Sequence, residues 1–248
     1  MRLHHVRRGT GEPLVLLHGV GDSHRTWGNV MGQLARAHEV IAVDLPGFGV
    51  SRTLRDAAPS PSALAVAVVT FMGGERFHVA GNSLGGGIAL ELGRTDRALS
   101  VTCLSPIGFA EGWERAYLRR SLDLTHLAGR ILPRGLMGSP AVRRATTLQT
   151  MVRPMGRDDL VATLDALALA PGWDATLPEL VRYRFTGAVG CPTTIAWGEH
   201  DRLLLHRQAA RARRALPQAR HVTLTGCGHL PAWDDPEQVA RVILETTG

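Results

Sequence analysis

The stretch HVAGNSLGGGIALELG, residues 78–93, sets one hydroxyl, Ser83, inside an apolar run crowded with glycine. Glycine costs backbone entropy in a strand or a helix, so each of these positions needs a geometric reason. A strand ending at Ala80 or Gly81 and a helix starting near Leu84 leave only a very tight turn between them. The residue at the apex of such a turn takes a strained conformation, and its neighbours two positions away must lack bulky side chains. Gly81 and Gly85 meet that demand, and Gly86 and Gly87 are expected to let the helix pack closely on the sheet. Ser83 is then held out at the carboxyl edge of the sheet, beside the positive end of the helix dipole. Strain kept at an exposed position points to a function. A glycine-rich turn with an incidental serine does not account for the strand before it and the helix after it.

Outward from this turn, apolar runs of five to seven residues rich in Val, Ile and Thr recur at 13–17, 39–44, 76–81, 99–105, 193–198 and 221–226. Between them, residues 26–37, 61–72, 83–94, 206–216 and 236–247 have helical spacing. This alternation is the pattern of an α/β fold with a mainly parallel sheet and crossover helices. It breaks between Ile107 and Ala188, where helical spacing continues without a strand and prolines 133, 140, 154 and 171 punctuate it. Because a strand run resumes directly afterwards, 107–188 is expected to be a helical insertion, with 1–106 and 189–248 forming one core domain.

A neutral serine is a poor nucleophile and needs a base that is itself oriented by a carboxylate. Of eleven histidines, His229 in GCGHLP follows the last strand in a glycine-rich loop and is the expected base. His18, in LLHGVG, is expected to brace its loop instead. Asp201, after the strand TTIAWG, is the expected orienting acid, with Glu199 as fallback; the order Ser83, Asp201, His229 is the one this strand-edge arrangement requires. Asp234 and Asp235 are explained as helix caps. The backbone N–H groups of Val20 and Leu84 are expected to receive the oxyanion, with Gly19 and Gly21 freeing the turn around Val20.

Composition narrows the alternatives. The 248 residues are 44% hydrophobic, enough for a substantial core, and carry a net charge of +6 without a single lysine. The arginines are scattered and not interleaved with aromatics, which argues against nucleic acid. No G-x-G-x-x-G or G-x-x-x-x-G-K-[ST] loop is present, and neither is H-E-x-x-H, so no nucleotide, cofactor or metal is expected; His4-His5 is the nearest thing to a metal cluster. Three separated cysteines, no signal-peptide core and no bilayer-length apolar run fit a cytoplasmic protein with no membrane partner, acting on a small molecule as monomer or homodimer.

With these pieces placed, LLHGVG (16–21), DLPGFGVS (44–51), GNSLGG (81–86), WGEHD (197–201) and GCGHLP (226–231) resemble the α/β-hydrolase superfamily over nearly the full length. The resemblance implies a twisted sheet with helices on both faces, a Ser83–His229–Asp201 triad and a helical cap formed by the insertion. It implies a serine hydrolase of a small or medium carboxylic ester or lactone, working through an acyl-enzyme. GNSLGG is also similar to carbon–carbon bond hydrolases, which rank second, ahead of acyl transfer or a triad-bearing binding module. The apolar cap residues Trp113, Tyr117, Leu118, Leu122, Leu127, Ile131, Leu136, Met137, Met151 and Met155 are expected mostly to pack the cap, and Arg115, Arg119 and Arg120 to be solvated.

Overall fold

Seven strands form one sheet in the computed structural model, which describes residues 2–248. They are β1 (His5–Arg8), β2 (Pro13–Leu17), β3 (Glu39–Val43), β4 (Phe77–Asn82), β5 (Ala98–Leu104), β6 (Thr193–Gly198) and β7 (Arg220–Leu224). Their spatial order is β1-β3-β2-β4-β5-β6-β7, with β1 antiparallel to β3 and every other pair parallel. Six strands match the apolar runs of the sequence. The seventh, β1, has the sequence HVRR and pairs only at the sheet edge, half-buried to exposed, so it carries no apolar run.

The helices are α1 (Gly28–Leu34), α2 (Pro61–Phe71), α3 (Leu84–Leu92), α4 (Trp113–Ile131), α5 (Pro140–Thr147), α6 (Arg157–Ala168), α7 (Trp173–Arg182), α8 (Arg207–Ala215), α9 (Pro231–Asp234) and α10 (Pro236–Thr247). Alternate residues of β2 and β3 face opposite layers, as the pleat requires. Val15, Leu17, Ile41 and Val43 belong to the core cluster that also holds residues of α2, α3 and α8, whereas Leu14, Leu16, Val40 and Ala42 belong to the one that holds residues of α1 and α10. The continuous 26–37 helix expected from spacing is divided: Ser23 caps a 3-10 turn over His24–Trp27, and α1 follows it and stops at Leu34.

After β2 the chain moves outward to β3, and after β4 it moves the other way to β5. A crevice therefore opens at the carboxyl ends of β2 and β4, where open α/β sheets bind ligands. The approach of α3 to this edge is extremely close. A Cβ on Gly81 would lie 2.1 Å from the Gly85 carbonyl oxygen, and one on Gly85 would lie 2.2 Å from that of Leu17. Gly86 and Gly87 serve a different neighbour from the sheet: a side chain there would strike Pro106 and Ile107, in the segment that follows β5.

Helices α4 to α7 lie between β5 and β6 in the chain. Within this segment Leu160 and Leu164 of α6 form a small core with Met137, Met151 and Met155 of the connections, which packs against Leu230 and Trp233 of the β7–α10 connection. At the start of α4 the buried Glu114 receives Arg211 and Arg207 of α8, and the Arg207 guanidinium lies 4.7 Å over the Trp113 ring. Among the described residues no helix is long and apolar enough to cross a membrane.

Replacing Gly85 with Ala drives a methyl group into backbone, which cannot yield as a side chain can. The expected loss is about 3 kcal/mol or more, a fall of roughly 6–12 °C in melting temperature for a domain of this size, read by calorimetry against the wild-type protein.

Candidate active site

Ser83 sits alone between β4 and α3 at φ 57° and ψ −112°, a region that residues with a side chain rarely occupy. Hydrogen bonds on both sides of it hold the strain. Its N–H donates to Leu104 O at 2.9 Å, and its carbonyl accepts from Gly87 N–H at 3.0 Å and Ile107 N–H at 3.2 Å. Leu84, the next residue, opens α3, where first-turn N–H groups have no partner within the helix.

His229 and Asp201 are both buried, and His229 Nδ1 lies 2.8 Å from Asp201 Oδ2. The other carboxylate oxygen, Oδ1, accepts from the N–H groups of Leu203 and Leu204 at 2.9 and 2.8 Å. Asp201 is thus fixed from the loop after β6 and reaches the loop after β7. Glu199 is 44% exposed and takes the Gly226 N–H, so it braces a turn and leaves His229 to Asp201.

On the β2 side, His18 is fully buried, and burial depresses its pKa to about 4. The neutral ring accepts Leu45 N–H at Nε2 (2.9 Å) and faces Gly19 O through Nδ1 (2.7 Å). It braces the turn Gly19–Asp22, closed by Asp22 N–H to Gly19 O. Gly19 stands against Ser83, since a Cβ built on it would lie 3.5 Å from Ser83 Cβ. Asp44 anchors the same region by accepting the N–H groups of His24 and Val50. Burial opposes its charge, but these donors and the His24 ring outweigh it and hold the carboxyl below the usual range. His4, His24 and Asp44 have ligand atoms within 4.8 Å of one another, yet none of the three lines the cavity that holds Ser83.

That cavity, of about 390 Å³, gathers Gly19, Val20, Gly21, Asp22, Ser83, Leu203, His229 and Leu230 from the strand ends. Its opposite wall comes from α4 to α7 and their connections. Of the apolar residues named from the sequence, Leu122, Met151 and Met155 line it, Leu118 and Met137 are buried elsewhere, and Trp113, Leu127, Ile131 and Leu136 are exposed. Arg115, Arg119 and Arg120 do not reach it. Helical spacing does not reveal the hydroxyl-bearing part of the wall, which includes Thr125, Thr146, Thr150 and Thr163.

Two polar residues do more than the sequence suggests. Asp234 is not simply a helix cap: it accepts Val152 and Arg153 N–H on one oxygen and Gly228 N–H on the other, at 2.8–2.9 Å, tying the α5–α6 connection to the His229 loop. Asp235 is the cap, accepting Gln238 N–H. Asn82 spends its amide on the carbonyls of Leu104 and His229, both at 3.0 Å. Asp22 was missed altogether, although its place in HGVGD, two residues beyond Val20, signals proximity to the site. Burial raises its pKa to about 6.

The alpha/beta hydrolase family model matches residues 14–242. An uncharacterised protein of Mycobacterium tuberculosis is 29% identical over 95% of this chain and 75% of its own length. A 2-hydroxy-6-oxononadienedioate/2-hydroxy-6-oxononatrienedioate hydrolase of Paraburkholderia phymatum is 26% identical over all of this chain and 91% of its own. Among solved structures, a putative lipase from Acinetobacter baumannii superposes with a TM-score of 0.78 at 25% identity, over 97% of this chain and 85% of its own.

His18 and Asp22 make stability depend on pH in opposite directions. The depressed His18 gives stability that is intact above pH 6.5 and lost as the pH falls through about 4, at most about 3 kcal/mol. Denaturant melts are expected to show this loss, and to show less of it in His18→Gln even though that variant is weaker at pH 7. The raised Asp22 gives stability that is intact below about pH 3.8 and lost as the pH rises through about 6. Asp22→Asn is therefore expected to gain on the wild type by up to about 3 kcal/mol between pH 4 and 7.5.

Proposed function

The chain belongs to the alpha/beta hydrolase family, and on that premise we propose that it is a serine hydrolase cleaving a small or medium carboxylic ester or lactone. The observation that carries this reading is the buried 2.8 Å contact between His229 Nδ1 and Asp201, in the same cavity as a serine held in strained backbone. With Nδ1–H committed to Asp201, the basic lone pair of His229 is at Nε2. That nitrogen takes the Ser83 proton as Oγ attacks the carbonyl, then protonates the leaving alkoxide. The N–H groups of Val20 and Leu84 receive the oxyanion, each worth on the order of 3 kcal/mol of barrier. His229 next activates water, which releases the acid and restores Ser83. Residues 107–188 act as the cap that covers this chemistry.

The cavity wall offers no fixed cation to an anionic substrate. Apart from Asp22, Gln149 and His229 it is apolar or hydroxyl-bearing, with no arginine among the described residues. The relative from P. phymatum is named for a dioate, whose carboxylates would want cations. Asn82, the sequence feature that resembles carbon–carbon hydrolases, is occupied in bracing the His229 loop. Ester cleavage therefore ranks above carbon–carbon cleavage.

Ser83→Ala is expected to lower turnover of a small activated ester by about 10⁴-fold or more and to abolish labelling by a fluorophosphonate. Labelling and turnover that survive in this variant would remove Ser83 as the nucleophile.

A further inference from the structure

Asp22 is the one acidic side chain on the wall of the Ser83 cavity among the described residues. It is only 9% exposed, and little holds its charge. Oδ1 accepts the N–H of its neighbour Ser23 at 2.7 Å. The Thr26 hydroxyl also favours the ionised form, while burial, foremost, and the negative Asp44 oppose it. No cation figures among these influences. A buried carboxylate without a counter-ion is an expensive element of a wall that is otherwise neutral. The rest of the wall is apolar or hydroxyl-bearing except for Gln149, whose amide donates to Tyr117 and Ser121, and His229, which is paired with Asp201, so no arginine or lysine in the wall compensates it.

Its position has two further consequences. Asp22 ends the turn that begins at Gly19, against Ser83, so it lies within about 7 Å of that start, Cα to Cα. A substrate group that meets Asp22 is therefore only a few bonds from the carbonyl under attack. Asp22 and Thr163 also line a second cleft of about 300 Å³, with Arg25 and Asp159 among its other walls. Asp22 thus stands where the two spaces adjoin.

Resting on the ester hydrolase reading above, we propose that Asp22 is a specificity-determining residue: it accepts a hydrogen bond from a hydroxyl or ammonium group close to the scissile carbonyl and turns away a carboxylate there. A donor from the substrate satisfies a charge that the protein leaves nearly bare, and a hydrogen bond to a charged group is among the stronger ones. An anion in the same place meets a like charge in a desolvated wall. A site built around a buried polar group discriminates more sharply than an apolar pocket does. The substrate class is thus a hydroxyacyl or aminoacyl ester, and the dioates are excluded on charge.

The test compares ethyl butyrate, ethyl 3-hydroxybutyrate, ethyl 3-aminobutyrate and monoethyl succinate at pH 7.5. In the wild type, kcat/KM for the hydroxy and amino esters is expected about tenfold or more above butyrate, and succinate about tenfold or more below it. Asp22→Asn keeps an acceptor but no charge; it is expected to retain the hydroxyl preference, lose the ammonium preference and admit succinate. Asp22→Leu is expected to lose the hydroxyl preference as well. Ratios taken within one variant cancel any loss of folded enzyme. Relative labelling rates of Ser83 with a neutral and a carboxylate-bearing phosphonate give the same ratio without turnover, and labelling itself reports on the nucleophile separately. Identical ratios in wild type and Asp22→Asn, or wild-type hydrolysis of monoethyl succinate as fast as butyrate, would overturn the role of Asp22.

Discussion

The whole site depends on the absence of two side chains. With any Cβ at Gly81 or Gly85, α3 would collide with the carbonyls at the ends of its own turn and of β2, at little more than 2 Å. The helix would have to withdraw, and with it the first-turn N–H of Leu84. Ser83 is forced into its unusual backbone because the chain must reverse within one residue between β4 and α3. Three backbone hydrogen bonds over-determine that conformation. The strain is thus held by the ends of neighbouring parallel elements, which are among the stiffest parts of an α/β sheet, and not by the loop itself.

Stiffness alone would position Ser83 but not the His229–Asp201 pair, which arrives from the far side of the sheet on two loops. The α4–α7 segment closes that gap. Thr150 O accepts Leu230 N–H, and Asp234 grips Val152, Arg153 and Gly228 together. Tyr117 donates to Arg202 O, beside Asp201. The residues that roof the cavity therefore also pin the loops bearing Asp201 and His229. Asn82 adds a link from the end of β4 to the His229 carbonyl. The cavity wall and the loops of Asp201 and His229 form one packed unit, so loosening the segment would disturb the imidazole as well as the cavity.

What could be read from the sequence follows from how local each feature is. The parallel core was legible because its strands are buried on both faces and appear as continuous apolar runs. The edge strand β1 escaped because HVRR is half solvated. That Ser83, Asp201 and His229 gather at one edge of the sheet was legible because each follows a strand within a few residues, at a place that chain order alone locates. The wall of the cavity was not, since helical periodicity tells which face is apolar and not which neighbour it meets. Leu122 and Met151 ended in the cavity while Leu127 and Ile131, equally apolar, ended in solvent. Asp234 resembled a cap because its true partners, Val152 and Arg153, lie some eighty residues away in the chain.

Four buried aspartates around the site show how differently one side chain can be treated. Asp201 has two backbone donors and the His229 ring; Asp234 has three backbone donors; Asp44 has two, with the His24 and His4 rings beside it. Each has partners on both carboxylate oxygens and holds loops together. Asp22 has one backbone donor and the Thr26 hydroxyl, and it alone faces the reactive cavity with a pKa driven upward. If its task were structural, a second backbone donor or an asparagine would serve it better at neutral pH. A fold that satisfies three carboxylates so thoroughly and leaves the fourth short of partners keeps that charge at a cost in stability. The missing partner is then to be sought in what enters the cavity.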